Sequence, residues 1–196
     1  MVRFLSSILK SLKKYFEKDG RRMKKGTIFC AYSFLYDDPE DLKTDYEFCT
    51  DEIASHIGLL KSYITDAGLK DELTKIATLV YHMNSSLRIK TAVTKDELNW
   101  LHERCLVYHE ETNHNYLKFV LPQGTTAASH SHIIRSKCMQ LARLMHRYEA
   151  KGNKIDPLLY DFANLLSDYF FLLALKLNAS DNVEEIEFIS RNYKFK

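Results

Sequence analysis

One stretch of the chain joins a loop to the start of a long helix, and it reads Phe119-Val-Leu-Pro-Gln-Gly-Thr-Thr-Ala-Ala-Ser-His-Ser-His-Ile-Ile-Arg135. Pro122 and Gly124 interrupt regular structure, so residues 119–124 are predicted to form a loop. The residues that follow have the apolar spacing of a helix, which is predicted to run from about residue 126 to residue 149. We therefore expect a loop that leads directly into a long helix.

The sequence around this stretch is also helical in pattern. Apolar residues recur at helical spacing over about 50–65, 69–89, 94–108 and 156–177. Asp51 and Glu52 are predicted to lie in the first turn of the earliest of these helices, where the helix dipole favours carboxylates. Thr94 with Glu97 forms a capping-box pattern, and Asp156-Pro157 fits an N-cap followed by proline at the first helical position. The body of the chain is thus predicted to be an all-α bundle of about five helices.

The overall composition agrees with one helical domain. The chain has 196 residues, of which 45% are hydrophobic, and it contains only 3 Pro and 6 Gly. This length suffices for a buried core, and so few helix breakers favour long helices. None of the four cysteines forms a CxxC pair, so we expect free thiols: Cys30, Cys49, Cys105 and Cys138.

The N-terminal region differs in charge from the rest. Residues 1–25 hold nine Lys or Arg against Glu17 and Asp19, and residues 3–18 are predicted to form an amphipathic helix. Three roles stay open for this helix: targeting to a bacterial microcompartment, contact with an anionic membrane, or packing on the bundle. The predicted organisation is a basic extension over 1–25, a helical bundle over 26–180 and a tail over 181–196.

Three segments occur in the order and at the distances found in one known family. Residues 119–135 match its pattern of Phe, an aliphatic residue, Leu-Pro-Gly-Gly-Ser/Thr, small residues and His-x-x-Arg. Residues 164–170, Asn-Leu-Leu-Ser-Asp-Tyr-Phe, match its Asn-Arg-Leu-Ser-Asp followed by two aromatics. Residues 50–58, Thr-Asp-Glu-Ile-Ala-Ser-His-Ile-Gly, match its Val-Asp-Glu-Leu-Asn-Ser-x-Ile-Gly. Over roughly residues 26–178 the chain therefore resembles the PduO-type cobalamin adenosyltransferases.

The resemblance implies a fold, an assembly and a reaction. Members of that family are homotrimers of five-helix bundles, with ATP in clefts between subunits and cob(I)alamin beside it. They transfer the 5′-deoxyadenosyl group of ATP to cobalt and release triphosphate, with Mg²⁺ as the metal that accompanies ATP. The implied location is the cytoplasm, with a microcompartment as one further possibility.

The resemblance also assigns roles to residues at the corrinoid side of the site. Phe119 takes the position of the aromatic that lies against the lower face of the corrin and excludes the axial ligand. Arg135 and Asp51 match a pair that forms a salt bridge between subunits beside the active site. His132 matches the family histidine, whereas His130 is incidental to the pattern.

A second group of residues is assigned to ATP. The N-terminal phosphate loop of the family corresponds to the segment around residues 23–28, and this assigns ATP binding to Lys25, Gly26 and Thr27. Further along the chain the assigned residues are Arg143, Asn164 and Asp168. Asn164 and Asp168 are four residues apart and so share one helix face.

The chain departs from the family at several of the positions that hold ATP. Met139 and Ala142 stand where the family has Arg and Glu, Leu165 replaces an Arg, and Gln123 replaces the first glycine of the Gly-Gly pair. The Gly-Asp that opens the phosphate loop is missing. A second hypothesis therefore stands beside the enzyme: a degenerate relative that binds cobalamin, or acts as a scaffold subunit, without transferring adenosyl.

Other kinds of site have weaker support. His102, Cys105 and His109 fall on one side of a predicted helix and could approach a metal, but a fourth ligand is not evident. The body of the chain is not basic and carries no nucleic-acid motif, so nucleic acid is not an expected partner. We therefore predict cobalamin and ATP as the ligands and no protein-bound metal centre.

Overall fold

The computed structural model describes residues 38–112 and 119–192, and the chain forms five helices there. They are α1 Lys43–Tyr63, α2 Ala67–Asn84, α3 Lys95–Glu111, α4 Thr126–Ala150 and α5 Pro157–Ser180. The prediction of an all-α, five-helix fold is confirmed. The described residues from 45 onward form one compact unit. The predicted N-terminal helix over residues 3–18 lies outside the described residues.

Polar side chains cap the helices at the places that the sequence indicates. The Thr94 side chain accepts a hydrogen bond from the Glu97 N–H, and Glu97 accepts one from the Thr94 N–H at 2.8 Å. Asp156 caps α5 by accepting from the Leu158 N–H at 3.0 Å, and Pro157 is the first helical residue. Both predicted caps are therefore confirmed, and such caps typically contribute about 1 kcal/mol each.

The prediction for the start of the first helix was wrong. Helix α1 begins at Lys43, so Thr50 lies inside the helix and does not cap it. The Thr50 hydroxyl donates back to the carbonyls of Tyr46 at 3.1 Å and Glu47 at 2.9 Å, as a threonine inside a helix commonly does. Asp51 and Glu52 consequently lie in the middle of α1, where the helix dipole has little effect. The predicted second helix also ends earlier, at Asn84 rather than near residue 89.

Side-chain contacts show that α1 and α2 run antiparallel, as do α4 and α5. The Tyr46 hydroxyl of α1 donates to the Met83 carbonyl near the end of α2 at 3.1 Å. Tyr160, near the start of α5, donates to Glu149 at the end of α4 at 3.2 Å.

Helix α5 is long and apolar enough to span a membrane by length and composition, yet more than half of its apolar stretch is buried inside the bundle. We therefore interpret α5 as the core helix of the bundle.

A largely buried carboxylate, that of Glu72, joins α2, α3 and α5. Glu72 of α2 accepts hydrogen bonds from the hydroxyls of Tyr108 at 2.7 Å and Tyr169 at 2.6 Å. It also accepts from Arg104 Nε at 2.7 Å. Burial and the bond to Glu72 raise the pKa of both tyrosines, so both remain protonated donors at neutral pH. The charge of Glu72 is therefore fully partnered, as a buried carboxylate requires.

Candidate functional site

The loop before α4 reaches its tightest point at Gly124. The backbone φ of this residue is 125°, a region that residues with a side chain rarely adopt. A Cβ atom at Gly124 would lie 2.0 Å from Asn178 Oδ1, far inside van der Waals distance. Both the backbone conformation and the approach of α5 therefore require glycine here.

The amide of Asn178 holds this loop from the C-terminal end of α5. Asn178 is fully buried, and its Oδ1 accepts a hydrogen bond from the Thr125 N–H at 3.0 Å. Its Nδ2 donates to the Gln123 carbonyl at 3.0 Å and to Glu185 Oε1 at 2.8 Å. One planar group thus joins the loop, the N-cap of α4 and the residues that follow α5.

The C-terminal segment, residues 181–192, pairs with the same loop. Val120 and Glu187 form an antiparallel bridge, the one bridge between the described parts of the chain. On either side of it the Leu121 N–H donates to the Ile186 carbonyl at 2.9 Å, and the Phe188 N–H donates to the Phe119 carbonyl at 2.6 Å. The loop is therefore fixed on one side by Asn178 and on the other by the C-terminal segment.

This pairing places four apolar side chains on one face. Alternate residues of an extended segment point to the same side, and residues directly opposite in an antiparallel pair share a face. Phe119 and Leu121 therefore lie on the same face as Ile186 and Phe188. All four side chains are exposed, Phe119 by 60%. A contiguous exposed apolar patch of this kind is typical of a binding surface.

The first turns of α4 carry a cluster around Phe171 of α5. The Arg135 guanidinium lies 5.9 Å from the centre of the Phe171 ring, and the His132 ring lies 6.1 Å from it. Thr125 caps this end of α4 by accepting from the Ala128 N–H at 3.1 Å. The cap that Asn178 holds is thus also the start of the helix that carries His132 and Arg135.

Several polar atoms of this cluster have no partner among the described residues. They are Ser131 Oγ, both ring nitrogens of His132 and Arg135 Nε, and all are buried. Burial, and next the charge of Arg135, lowers the pKa of His132 to about 4, so its ring is neutral at pH 7. Buried polar groups in proteins are nearly always hydrogen-bonded. The cluster therefore has unmet capacity to bind a group from outside this chain.

Asp51 is exposed in the middle of α1 and accepts a hydrogen bond from the Tyr81 hydroxyl at 2.5 Å. That bond raises the pKa of Tyr81. Within the described residues of one chain, Asp51 and Arg135 form no ion pair with each other. The structure thus brings Arg135 together with His132 and Phe171, whereas Asp51 contacts Tyr81.

A second set of contacts ties α1 to α4. His56 Nδ1 lies 3.1 Å from His130 Nε2, and Glu52 Oε1 lies 2.7 Å from Lys137 Nζ. Burial, and next the neighbouring His56, lowers the pKa of His130. His130 therefore has a structural partner that the sequence pattern did not indicate.

The predicted ATP-binding residues of α5 lie on its exposed stripe. Asn164 and Asp168 are exposed, although most of α5 is buried, and the half-buried Phe171 continues the same helix face. Partial burial raises the pKa of the Asp168 carboxyl. On α4, which runs antiparallel to α5, Met139 and Arg143 are also exposed. These residues therefore border an open surface and do not pair with each other in the core.

The remaining predictions concern the phosphate loop near the N-terminus and the candidate metal ligands of α3. Lys25, Gly26 and Thr27 lie outside the described residues. In the described part of the chain no group of three or more His, Cys, Asp or Glu residues could hold a metal ion. Cys105 is instead buried, and its thiol donates to the Leu165 carbonyl at 3.9 Å. The structure thus places the Cys105 thiol against the backbone of α5.

Sequence reasoning missed Asn178 and Glu185. Asn178 follows a long apolar run near a helix end, where an asparagine is ordinary, and Glu185 belongs to a charged tail. The available signal was Gly124, because a glycine before a helix N-cap can mark the close approach of another element. No local sequence pattern identifies α5 as the element that approaches Gly124.

Comparison with known proteins identifies the family. The family model for cobalamin adenosyltransferases matches residues 48–177. The corrinoid adenosyltransferase of Bacillus subtilis is 27% identical over 160 residues, which cover 77% of this chain and 82% of that protein.

Solved structures agree with this match. A phenylalanine-to-alanine variant of the PduO-type ATP:corrinoid adenosyltransferase from Lactobacillus reuteri, complexed with cobalamin and ATP, superposes with a TM-score of 0.70 at 25% identity. The match covers 80% of this chain and 90% of that one. An arginine-to-lysine variant of the same enzyme, complexed with ATP, gives a TM-score of 0.69 at 25% identity and covers 79% and 90% of the two chains. On the sequence match and the shared fold, the chain belongs to the cobalamin adenosyltransferase family.

Proposed function

We propose that this chain is a corrinoid adenosyltransferase that moves the 5′-deoxyadenosyl group of ATP onto cob(I)alamin. The observation that carries the proposal is the exposed apolar face around Phe119, which Asn178 connects to the helix that carries His132 and Arg135, whose buried polar atoms have no partner among the described residues. Related enzymes are complexed with cobalamin and ATP, which supports these two ligands.

The reaction asks for positioning more than for acid–base groups. The electron pair of Co(I) attacks C5′ of the ribose, a cobalt–carbon bond forms, and the C5′–O bond breaks with its electrons leaving on triphosphate. Cob(I)alamin is a strong nucleophile, so the protein must mainly hold the two reactants in line. An apolar wall at Phe119 would keep water and axial ligands from the opposite face of cobalt. His132, being neutral, would add no charge to the site.

A second copy of the chain completes the site in this proposal. Asp51 is exposed, and Arg135 Nε is a buried donor that has no partner within the described part of the chain, which suits an ion pair between subunits. A buried donor that lacks a hydrogen-bond partner costs about 1–3 kcal/mol, and a carboxylate from a neighbour would remove that cost. The proposed assembly is the homotrimer that the family resemblance implies.

The ATP side of the site is proposed to run along the exposed stripe of α5. Asn164 and Asp168 would contact the nucleotide, and Arg143 would approach the phosphates from α4. Lys25, Gly26 and Thr27 are proposed to meet the triphosphate. Mg²⁺ usually keeps several waters and binds substrate phosphates. Since the described residues offer no metal cage, Mg²⁺ would be held mainly by ATP.

One position favours a second candidate function, cobalamin binding without transfer. In the Lactobacillus reuteri structures the substituted arginine lies 20 residues after the substituted phenylalanine. The residue 20 positions after Phe119 here is Met139, an exposed apolar side chain. A charge-assisted hydrogen bond typically contributes about 1.5–3 kcal/mol, so losing one would weaken ATP binding more than cobalamin binding.

The cellular setting is a separate part of the proposal. We propose a cytoplasmic protein whose basic residues 3–18 contact a microcompartment shell or an anionic membrane surface. The charge of the N-terminal region supports this, because basic amphipathic segments bind anionic surfaces. Fractionation of cells that express the chain with and without residues 1–25 tests it, and an unchanged distribution would contradict it.

An anaerobic assay tests the proposed reaction. Purified protein is mixed with cob(I)alamin and MgATP, and visible absorbance follows formation of the cobalt–carbon bond. Multiple turnovers that depend on the protein would establish the transferase. If a competent family enzyme works alongside and this folded chain gives no product but still binds cobalamin, the second candidate replaces the first.

A further inference from the structure

Asn178 makes side-chain hydrogen bonds to three separate parts of the chain. It binds the Gln123 carbonyl in the loop, the Thr125 N–H at the cap of α4, and the Glu185 carboxylate in the C-terminal segment. The family match ends at residue 177, so Asn178 and Glu185 lie just outside it.

The chemistry of these contacts requires an amide. Oδ1 must accept from a backbone N–H while Nδ2 donates to a carbonyl and to a carboxylate, so one planar group supplies both kinds of contact. An aspartate has the same size but cannot donate, and it would face the Glu185 carboxylate with a like charge. Gly124 approaches so closely that a longer side chain has no room.

Glu185 acts together with the Gln123 carbonyl and the Thr125 N–H to fix which way the amide of Asn178 faces. A carboxylate only accepts, so the nitrogen of Asn178 turns towards Glu185 and the oxygen towards Thr125. Glu185 Oε2 is buried and has no partner among the described residues, and burial raises the pKa of this carboxyl. The contact to Asn178 is therefore the main polar anchor of Glu185.

The three contacts connect the two halves of the candidate site. Gln123 belongs to the loop that carries Phe119, and Thr125 caps the helix that carries His132 and Arg135. We propose that Asn178 is a positioning residue for the corrinoid reaction, and that Glu185 helps to hold its amide in place. This inference rests on the proposed function, because it concerns where Phe119 stands relative to bound corrinoid.

Three variants test the proposal: Asn178→Asp, Glu185→Ala, and the double variant Asn178→Asp with Glu185→Gln. The double variant exchanges donor and acceptor between the two side chains, because glutamine can donate to aspartate. Each protein is assayed for kcat and for the KM of ATP and cob(I)alamin separately. The visible spectrum of bound cob(II)alamin, with ATP present, reports the fraction that has lost its axial ligand.

A misplacement of about 1 Å can reduce turnover on the order of 100-fold. For Asn178→Asp we expect kcat to fall at least about tenfold and the axial-ligand-free fraction to fall with it, while the KM of ATP stays within about twofold. Glu185→Ala should show a smaller loss of the same kind. The double variant should recover part of the loss, although its contact with the Gln123 carbonyl is still missing.

The outcomes distinguish failure of the proposed function from failure of this inference. A wild-type protein that neither binds cobalamin nor forms product overturns the proposed function and this inference with it. A working wild type whose variants keep kcat and the cob(II)alamin spectrum overturns the inference alone. So does a loss of thermal stability without any change in the spectrum. If Asn178→Asp fails to fold, Glu185→Ala decides between these results.

Discussion

At the scale of single residues, a substitution at Phe119 should change turnover without changing the stability of the fold. Its side chain is 60% exposed, so truncation removes little buried area, and Phe119→Ala should change the free energy of unfolding by less than about 0.5 kcal/mol. Turnover to adenosylcobalamin should nevertheless fall at least about tenfold, because the axial face of cobalt would no longer be covered. Ile189→Ala, at an exposed residue of the C-terminal segment, is the matched control and should leave turnover unchanged. Equal losses in both variants would contradict the role of Phe119.

Met139 offers a gain-of-function test. Its side chain is 46% exposed, so an arginine can be accommodated without repacking the core. If the triphosphate lies where we propose, Met139→Arg should lower the KM of ATP by about tenfold, the value of one charge-assisted hydrogen bond. Met139→Gln has a similar length without the charge and should change the KM little. An unchanged KM in both variants would place the phosphates elsewhere.

His132 predicts a dependence of stability on pH. Its pKa in the folded protein is lowered to about 4 from 6.5, so between these values the unfolded chain binds a proton that the folded chain does not. The contribution of His132 to the free energy of unfolding is therefore fully present above pH 6.5. It is lost as the pH falls towards 4, and the loss is at most about 3 kcal/mol. Urea unfolding between pH 4 and 7 should show a shallower pH slope for His132→Gln than for the wild type. The exposed His102→Gln control should keep the wild-type slope, and a wild-type slope in His132→Gln would contradict the prediction.

The sequence predicted single residues of the site unevenly. Phe119 and Arg135 could be assigned because they belong to one continuous pattern, in which the loop and the helix are local. Asn178 could not, because its partners Gln123 and Thr125 are distant in sequence and only the packing of α5 brings them together. Ordinary residues acquire such roles through tertiary contacts, which local pattern does not record.

At the scale of helices, the Glu72 network gives a stability prediction. Tyr169 is fully buried and donates to Glu72, so Tyr169→Phe leaves a largely buried carboxylate short of one donor. We expect a loss of about 1–3 kcal/mol in the free energy of unfolding. Tyr160→Phe removes a similar hydroxyl contact, to Glu149 in exposed surroundings, and should cost less than about 0.5 kcal/mol. Urea denaturation measures both variants, and an equal loss of unfolding free energy in the two would show that burial does not strengthen the Glu72 network.

The helices themselves were predictable because local and tertiary signals agree. The caps at Thr94 and Asp156 and the apolar spacing of α5 all identify the same elements. The start of α1 was missed because Thr50 resembles an N-cap, and only its bonds to the carbonyls of Tyr46 and Glu47 show it to be interior. A threonine followed by acidic residues is therefore ambiguous until the preceding turn is known.

At the scale of the whole molecule, the exposed residues indicate what a single chain leaves incomplete. Phe119 and Asp168 border surfaces that face outward, and Arg135 retains a buried donor without a partner among the described residues. A monomeric enzyme would have little reason to keep such a group unsatisfied. The arrangement is coherent if a neighbouring copy faces this side of the bundle.

Subunit mixing tests that arrangement. Asp51→Ala and Arg135→Ala should each be inactive alone, because every interface then lacks one member of the proposed pair. In a random equal mixture, about a quarter of the interfaces join an intact Arg135 to an intact Asp51 of a neighbour, so about a quarter of wild-type activity should return. Tyr81→Phe removes the partner of Asp51 within its own chain and should leave activity in place. A mixture without recovery, from proteins shown by sedimentation to exchange subunits, would mean that Asp51 and Arg135 act within one chain or not as a pair.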